Sequence, residues 1–246
     1  MTIFRTDPTW NDGTDGLANA FKYYIDFFHI PTSESVQFKA FLTSLDDSFE
    51  SDWNSEDVYG RMDPIQTFKG TKRTISIEWE LVAGSIAEAQ ENLQRCTTLF
   101  GMLYPVYSAQ GAGNNMVVSA PPLFKVRFIN LVRDASSSVG EGSAGSASET
   151  GLVCTMGGFN YSPDVDAGFL HAGAGTVYPQ TIKLSADLTV MHTHGLGYTG
   201  TGRRQENFPY GASPQGSGGP QEATGSGNNE NPAVAAAAAS QMTGDE

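Results

Sequence analysis

Residues 74–105, TISIEWELVAGSIAEAQENLQRCTTLFGMLYP, contain the pattern that decides the fold. Through residues 74–81 apolar and polar side chains alternate, which is typical of a β-strand with one buried face. The apolar face is formed by Ile75, Ile77, Trp79 and Leu81, and the polar face by Ser76, Glu78 and Glu80. This half-buried strand is the first predicted element, and the others are placed relative to it.

An α-helix follows the strand, and the sequence marks both of its ends. Ser85 stands three residues before Glu88, the spacing at which the two side chains accept hydrogen bonds from free N–H groups of the first helical turn. Pro105 ends the helix because its ring cannot continue the hydrogen-bond ladder. The predicted buried stripe is Ile86, Ala89, Leu93, Cys96, Phe100 and Leu103. The residues predicted to face elsewhere are Glu91, Asn92, Gln94 and Arg95.

Four further segments have the period of a strand. They are residues 36–42, 122–132, 151–159 and 181–191. In the last of them the apolar face consists of Ile182, Leu184, Ala186, Leu188 and Val190. The predicted fold class is therefore mainly β with one α-helix (α+β), arranged as a sheet or sandwich.

The N-terminal region is aromatic but lacks a clean period. FKYYIDFFHI, residues 21–30, indicates a strand or a packed extended arm, which either covers the chain's own core or forms an interface. We expect residues 1–58 to be an interface-forming arm and first strand region. Residues 59–200 are expected to be the core, and residues 201–246 a low-complexity tail.

The connections between these segments are polar or rich in glycine. Residues 46–57 are acidic and predict a loop, and the sequence Gly173-Ala174-Gly175 predicts a turn rather than a phosphate-binding loop. Residues 134–151 are dominated by serine, glycine and alanine, which predicts a mobile connection between two strands. From Gly195 onward periodicity is lost, and the composition predicts disorder unless something binds the segment.

The charge of the chain excludes several classes of protein. A formal net charge of −13 argues against a tight grip on nucleic acid or on an anionic membrane, although an acidic surface can let DNA pass. No apolar run approaches the roughly 20 residues that span a bilayer, and the N-terminus lacks the pattern of a signal peptide, so we expect a soluble protein. Cys96 and Cys154 are expected to be reduced core residues.

Few residues point to chemistry. His192 and His194 stand at alternate positions of a strand end, which would suit a transition metal if His171 came close, but a polar strand terminus is the favoured interpretation. Asp164 and Asp166 are read as part of a turn rather than as a catalytic carboxylate pair. The sequence therefore predicts no enzyme, no cofactor and no metal.

Several sequence segments, taken in order, resemble those of a known family. They are GRMDPIQTFKGTKRTISIEWELVAGSIAEAQENLQRCTTLFGMLYPVY, APPLFKVRFINLV, GLVCTMGGFNYSPDVDAGFL and VYPQTIKLSADLTVMHTHGLGY, within residues 59–198. Their succession resembles the tube-initiator and tube-adaptor proteins at the baseplate of contractile-tailed bacteriophages. The resemblance implies a tail-tube-like fold, in which six copies form a ring and complete a barrel around a lumen.

The resemblance also implies a function and partners. The expected protein is a structural virion component at the junction of baseplate and tail tube, assembled in the host cytoplasm without membrane anchoring. Its partners would be other copies of itself, the tail tube, and hub and wedge proteins, with phage DNA only transiently in the lumen. The alternative is a tail-tip component that binds or degrades the cell wall. Glu78, Glu80 and Asp187 are predicted to point to the lumen or to a neighbouring subunit, since their strands would lie in the tube wall.

Overall fold

The computed structural model describes residues 13–39, 41–109, 116–134, 146–199, 202–203 and 208–210. All of them belong to a compact unit that spans Met1–Ser213. The chain forms three helices and thirteen strands within these ranges: α1 (Gly13–Phe21), β1 (Tyr24–His29), β2 (Glu34–Lys39), β3 (Phe41–Glu56), β4 (Ile65–Val82), α2 (Ile86–Met102), β5 (Val106–Ala109), β6 (Met116–Ala120), β7 (Phe124–Phe128), α3 (Ala147–Thr150), β8 (Leu152–Pro163), β9 (Phe169–Gly173), β10 (Thr176–Pro179), β11 (Thr181–Val190), β12 (Tyr198–Thr199) and β13 (Gly202–Arg203). The fold is mainly β, as predicted.

Seven strands form one antiparallel sheet in the order β2-β1-β7-β8-β11-β4-β3. In a flat sheet β1 and β4 would be about 19 Å apart, because neighbouring strands are spaced by roughly 4.8 Å. The ring of Trp79 on β4 nevertheless lies 5.7 Å from that of Phe27 on β1 and 5.8 Å from that of Phe38 on β2. The sheet is therefore strongly curled, and its two ends meet around a common core.

The predicted alternation is confirmed on the strands that enclose this core. Trp79 is only 1% exposed, and the other inward-facing side chains of its strand are buried as well. The buried apolar residues of β4, β7 and β11 are Ile75, Ile77, Trp79, Leu81, Phe124, Val126, Phe128, Ile182, Leu184, Ala186, Leu188 and Val190. Each strand thus has one face inside the curl and one face outside it.

Helix α2 begins where the sequence predicts. The hydroxyl of Ser85 accepts a hydrogen bond from the N–H of Glu88 at 3.2 Å, and the Glu88 carboxylate accepts one from the N–H of Gly84 at 2.9 Å. Both acceptors stabilise the first turn, where backbone N–H groups have no partner inside the helix. The helix ends at Met102, before Pro105.

The buried face of α2 is rotated from the predicted stripe. Ala89 and Cys96 are buried as expected, but Ile86 is 44% exposed and Leu93 is half-buried. The residues that face the core are Ala89, Asn92, Cys96, Leu99 and Met102. The prediction that Asn92 faces away is therefore wrong.

Polar contacts to β2 explain the rotation. Arg95 donates a hydrogen bond from Nη1 to the backbone oxygen of Gln37, and Lys39 forms an ion pair with Glu88. Hydrophobicity assigns the helix a broad apolar sector that includes both Leu93 and Leu99. These two contacts select the part of that sector that meets the sheet.

We predict that aspartate substitutions will report this rotation. Leu99→Asp should lower the free energy of unfolding by more than about 3 kcal/mol, because it places an unpaired carboxylate in the core. Leu93→Asp should be clearly milder, and Gln94→Asp at the exposed neighbouring position should have an effect within about 0.5 kcal/mol. Denaturant unfolding of the three variants measures this order. Equal damage from Leu93→Asp and Leu99→Asp would contradict the observed rotation.

The aromatic N-terminal stretch packs on the chain's own core. Ile25 and Phe27 of β1 are 0% exposed, and β1 pairs with β2 on one side and with β7 on the other. Helix α1, which the sequence did not predict, is tied to the body by an ion pair between Asp15 and Lys39. The expected boundary between residues 58 and 59 falls in the connection between the paired strands β3 and β4. The interface-forming role of residues 1–58 stays a prediction.

The loop predicted for residues 46–57 is wrong, because β3 continues through it to Glu56. This strand is paired with β4 from Phe41 to Glu56, and β2 ends separately at Lys39. Polar residues on both faces are tolerated here because cross-strand partners on β4, such as Lys72 opposite Glu50, replace burial as the source of stability.

The mobile connection predicted for residues 134–151 is wrong at its C-terminal end, and residues 135–145 lie outside the described ranges. Helix α3 packs on the outer face of β1 and β7. The carboxylate of Asp26 accepts a hydrogen bond from the N–H of Ala147 at 2.8 Å, and Lys125 donates one to the backbone oxygen of Ser148 at 2.8 Å. Gly151 is required by close packing, since an added Cβ would lie 2.3 Å from the oxygen of Ala147. The buried carboxylate of Asp26 thus fixes the C-terminal end of this segment, and composition alone does not predict such a contact.

We predict that neutralising Asp26 will not destabilise the protein at neutral pH. Asp26 is 2% exposed, and its pKa is raised by burial despite hydrogen bonds from Ala147 and Gln37 and the nearby charge of Arg127. A raised pKa means that folded protein holds the proton more tightly than unfolded protein. Stability is therefore lost as pH rises from the ordinary range of a carboxyl through the raised pKa.

Asp26→Asn keeps an acceptor for Ala147 without the charge, so its melting temperature at pH 7 should equal or exceed that of the wild type. The advantage should vanish below about pH 4, where an ordinary carboxyl is protonated. Asp26→Leu removes the acceptor and should cost about 1–3 kcal/mol. Thermal unfolding across this pH range provides the measurement. An Asp26→Asn variant as unstable at pH 7 as Asp26→Leu would show that the charge itself is needed.

The chain after Gly195 is not featureless. Strands β12 and β13 pair with each other, and Phe208 packs against Phe49 of β3 with ring centroids 5.9 Å apart. The expectation of disorder is therefore wrong for residues 208–210, whereas the tail beyond Tyr210 lies outside the described residues. None of the described helices is long and apolar enough to span a membrane.

Candidate assembly surfaces

The three predicted site residues lie together on the outer face of the sheet. On β4, Glu78 is opposite Ser185 and Glu80 is opposite Lys183, while Asp187 on β11 is opposite Ser76. The Asp187 carboxylate accepts a hydrogen bond from the Ser76 hydroxyl at 2.7 Å. Glu78 and Asp187 are exposed and Glu80 is half-buried. The structure confirms neither a lumen nor a neighbouring subunit for them, so that assignment stays a prediction.

A shallow groove of about 260 Å³ runs along this outer face. Its polar lining residues are Thr43, Glu78, Glu80, Asn160, Ser162, Lys183 and Ser185. Lys183 is paired with Asp164 at 3.0 Å, and this hydrogen-bonded contact lowers the pKa of Asp164 and raises that of Lys183. Since the lysine is already neutralised by Asp164, Glu78 and Glu80 leave the groove acidic. We call the outer surface of β4, β8 and β11 the acidic face.

A two-stranded ribbon extends beyond the core. Strand β11 pairs with β4 only from Thr74 onward, so the preceding part of β4 has β3 as its sheet neighbour. We call residues 49–73 the hairpin extension. Its strand residues 49–56 span about 26 Å at roughly 3.3 Å per residue. This length carries the extension well outside the curl of the sheet.

The hairpin extension exposes large apolar side chains. The rings of Trp53 and Phe68 contact each other at 5.2 Å between centroids, and the two residues are 54% and 53% exposed. Tyr59 and Met62 in the connecting loop are fully exposed, and Ile65 is 41% exposed. Clustered apolar side chains of this size on a protein surface usually mark a contact with another molecule.

Strand β3 also presents an open edge. It is the last strand of the sheet, and no strand among the described residues pairs with its other side. The opposite end of the sheet differs, because Arg95 of α2 donates a hydrogen bond to the backbone oxygen of Gln37 on β2. An unpaired row of backbone N–H and C=O groups is a template for another strand. Trp53 lies on this same strand, so the open edge and the exposed aromatic side chains belong to one surface.

The histidine pair does not meet its predicted third ligand. His171 lies on β9, opposite Val177 of β10, in a hairpin separate from the main sheet. Nδ1 of His194 lies 3.3 Å from a carboxylate oxygen of Asp134. The pKa of His192 is lowered by burial and by the charges of Arg73 and His194. Within the ranges that the structure describes, no three His, Cys, Asp or Glu side chains are grouped so that they could hold a metal ion.

Two predicted turns are confirmed. A carboxylate oxygen of Asp164 accepts hydrogen bonds from the N–H groups of Asp166 and Ala167, at 3.1 and 3.4 Å. Gly173 and Gly175 have φ values of +146° and +76° at the bend between β9 and β10, where glycine is favoured. Both features are explained by local backbone geometry.

The two cysteines lie in the core, as predicted. Cys96 on α2 and Cys154 on β8 are free and buried. Burial raises the pKa of each thiol to about 12. Both side chains therefore remain protonated and act as small apolar groups.

Sequence reasoning missed a buried ion pair at the base of the hairpin extension. Arg73 is 1% exposed, and its Nη2 lies 2.7 Å from a carboxylate oxygen of Asp47. The signal was present, since Arg73 stands two positions before Ile75 and so continues its inward-facing row. A charged side chain on the buried face of a strand requires a partner of opposite charge.

No protein-family profile matches the sequence, and no curated protein matches it. The solved structures that share similarity include a cryo-EM structure of the anti-feeding prophage baseplate, symmetrised six-fold. The alignment covers 69% of this chain and 88% of that chain, with 8% sequence identity and a TM-score of 0.25.

Proposed function

We propose that this chain is a structural protein of a contractile tail that forms a ring where the baseplate meets the tail tube. It carries out no catalysis in this role. The observation that supports the proposal best is the hairpin extension, which combines an open strand edge with exposed aromatic side chains. The resemblance of residues 59–198 to tube-initiator and tube-adaptor proteins supports the same class.

The hairpin extension supplies the contact between copies. Because its strand β3 is acidic and would repel an identical edge, the hairpin extension is expected to contact a different surface of the neighbouring copy. A contact between two different surfaces repeats by rotation and closes into a ring when the rotation allows it. The backbone edge of β3 gives hydrogen bonds to this contact, and Trp53 and Phe68 give apolar area. Six copies, as the resemblance implies, then complete a barrel.

The acidic face lines the lumen in this arrangement. DNA that passes through a tube must not be held by its wall, and each lysine or arginine contact to phosphate adds a salt-sensitive attraction. Glu78, Glu80 and Asp187 present carboxylates instead, and Lys183 is engaged by Asp164. The wall therefore repels the phosphates. The remaining partners are the neighbouring tail-tube ring and the hub and wedge proteins, in a particle assembled in the host cytoplasm.

We predict that the purified protein forms rings with a central hole in negative-stain electron micrographs. The double variant Trp53→Ser with Phe68→Ser should remain monomeric, because it removes the apolar area of the contact. Its melting temperature should change by less than about 4 °C, since both side chains are half exposed and lie outside the core. Light scattering after size-exclusion chromatography gives the mass of each species.

The matched control is Val177→Ser, which removes an apolar side chain of similar exposure from β10. It should assemble like the wild type. A wild-type protein that stays monomeric at all concentrations would contradict the proposal. Co-sedimentation of such a monomer with purified peptidoglycan would instead favour the cell-wall-binding alternative.

We predict that one lysine on the acidic face makes the ring bind DNA. Glu78→Lys rings should bind duplex DNA at low salt, and the affinity should fall steeply as salt is raised, because the new attraction is to phosphate. Gln94→Lys is the control, since it adds a lysine to α2 on the other side of the sheet. Fluorescence anisotropy of labelled duplex measures both.

The two variants separate the possible positions of the acidic face. Equal DNA binding by Glu78→Lys and Gln94→Lys rings would remove the lumen assignment. A Glu78→Lys protein that folds but forms no ring would place Glu78 at the contact between copies.

A further inference from the structure

The base of the hairpin extension is built around the Arg73–Asp47 ion pair. Nε of Arg73 donates a hydrogen bond to Asp47 at 2.9 Å, and Nη2 donates one at 2.7 Å, so the contact is bidentate. Arg73 is only 1% exposed. It lies just beyond Thr74, where the pairing of β11 with β4 ends, so β11 does not flank it. Side chains of β3 cover part of Arg73, and a segment outside the sheet covers another part.

The cover is a segment far away in the sequence. The ring of Phe208 lies 5.6 Å from the guanidinium carbon of Arg73, and the ring of Phe49 lies 5.0 Å from the same atom. The two rings meet edge-on, with centroids 5.9 Å apart and an interplanar angle of 84°. An arginine whose guanidinium lies close to two aromatic rings gains cation–π attraction in addition to its ion pair.

Tyr210 completes the cover and links it to the body. Its hydroxyl donates a hydrogen bond to Asp47 at 3.3 Å, and its backbone oxygen accepts one from Nδ2 of Asn130 at 3.1 Å. Burial and the Asp47 carboxylate raise the pKa of Tyr210, so the hydroxyl remains a donor at neutral pH. Asn130 lies in the turn that follows β7 of the curled sheet, whereas Asp47 lies on β3 at the base of the hairpin extension. One short segment therefore contacts both parts.

We propose that residues 208–210 are a clasp that fixes the direction of the hairpin extension relative to the curled sheet. A two-stranded ribbon is marginally stable by itself in water, so a ribbon that must present a contact surface needs support at its base. The clasp provides it by closing over the buried ion pair and by bridging to Asn130.

Hydrogen exchange of the full-length chain tests the clasp. The double variant Phe208→Ala with Tyr210→Ala should raise amide exchange rates in residues 49–56 and 65–73 by about tenfold or more, because local opening at the base becomes easier. Residues 181–190 of β11 should exchange as in the wild type. Tyr198→Ala, which removes an aromatic side chain that is 78% exposed, is the control and should change neither region.

Two further variants separate the contributions of ring and charge. Tyr210→Phe removes only the hydroxyl donor and should give a smaller increase confined to the same residues. Arg73→Lys keeps the charge but loses the planar, bidentate geometry, and it should resemble the double variant. Unchanged exchange in the hairpin extension of the double variant would overturn the clasp. An equal increase of the exchange rates in β11 would overturn it too. Residues 208–210 would then stabilise the whole fold and not specifically the orientation of the hairpin extension.

Discussion

Trp79 is the contact on which the shape of the molecule depends. It lies on β4, near one end of the seven-stranded sheet, yet its ring packs against Phe27 and Phe38 near the other end. A further contact, with Phe159 of β8 at 6.1 Å, ties the middle of the sheet to the same side chain. Because a large aromatic side chain buries more apolar area than any aliphatic one, a single residue can hold both ends of the curl together. The acidic face and the hairpin extension take their positions from this closure.

The sequence was informative on the strands where burial of one face sets the pattern. Alternation located the inward faces of β4, β7 and β11, and the Ser85–Glu88 spacing located the start of α2. It failed where a polar partner sets the structure. The acidic run of β3 is a strand because β4 pairs with it, and Ala147 is held by Asp26 from a strand more than a hundred residues earlier. No local pattern encodes such partners.

The candidate surfaces were predictable to a similar degree. Glu78, Glu80 and Asp187 do share one outer face, which follows from strand alternation once β4 and β11 are neighbours. The apolar cluster around Trp53 and Phe68 was missed because residues 46–57, which contain Trp53, were predicted to be a loop. The role of Phe208 and Tyr210 was hidden in a segment whose composition predicts disorder, since three residues suffice to reach a buried ion pair. Such a short contact has no period to detect.

The acidic composition of β3 bears on the kind of assembly that its open edge allows. A long open edge invites pairing with an identical edge, which would give a two-fold dimer rather than a ring. Strand β3 carries Asp46, Asp47, Glu50, Asp52 and Glu56 and no cation. Two such strands side by side would bring like charges together, and of these side chains Asp47 is neutralised within the chain by Arg73. The edge is therefore protected against its own copy and left available to a surface of different charge, which is the requirement of a head-to-tail ring.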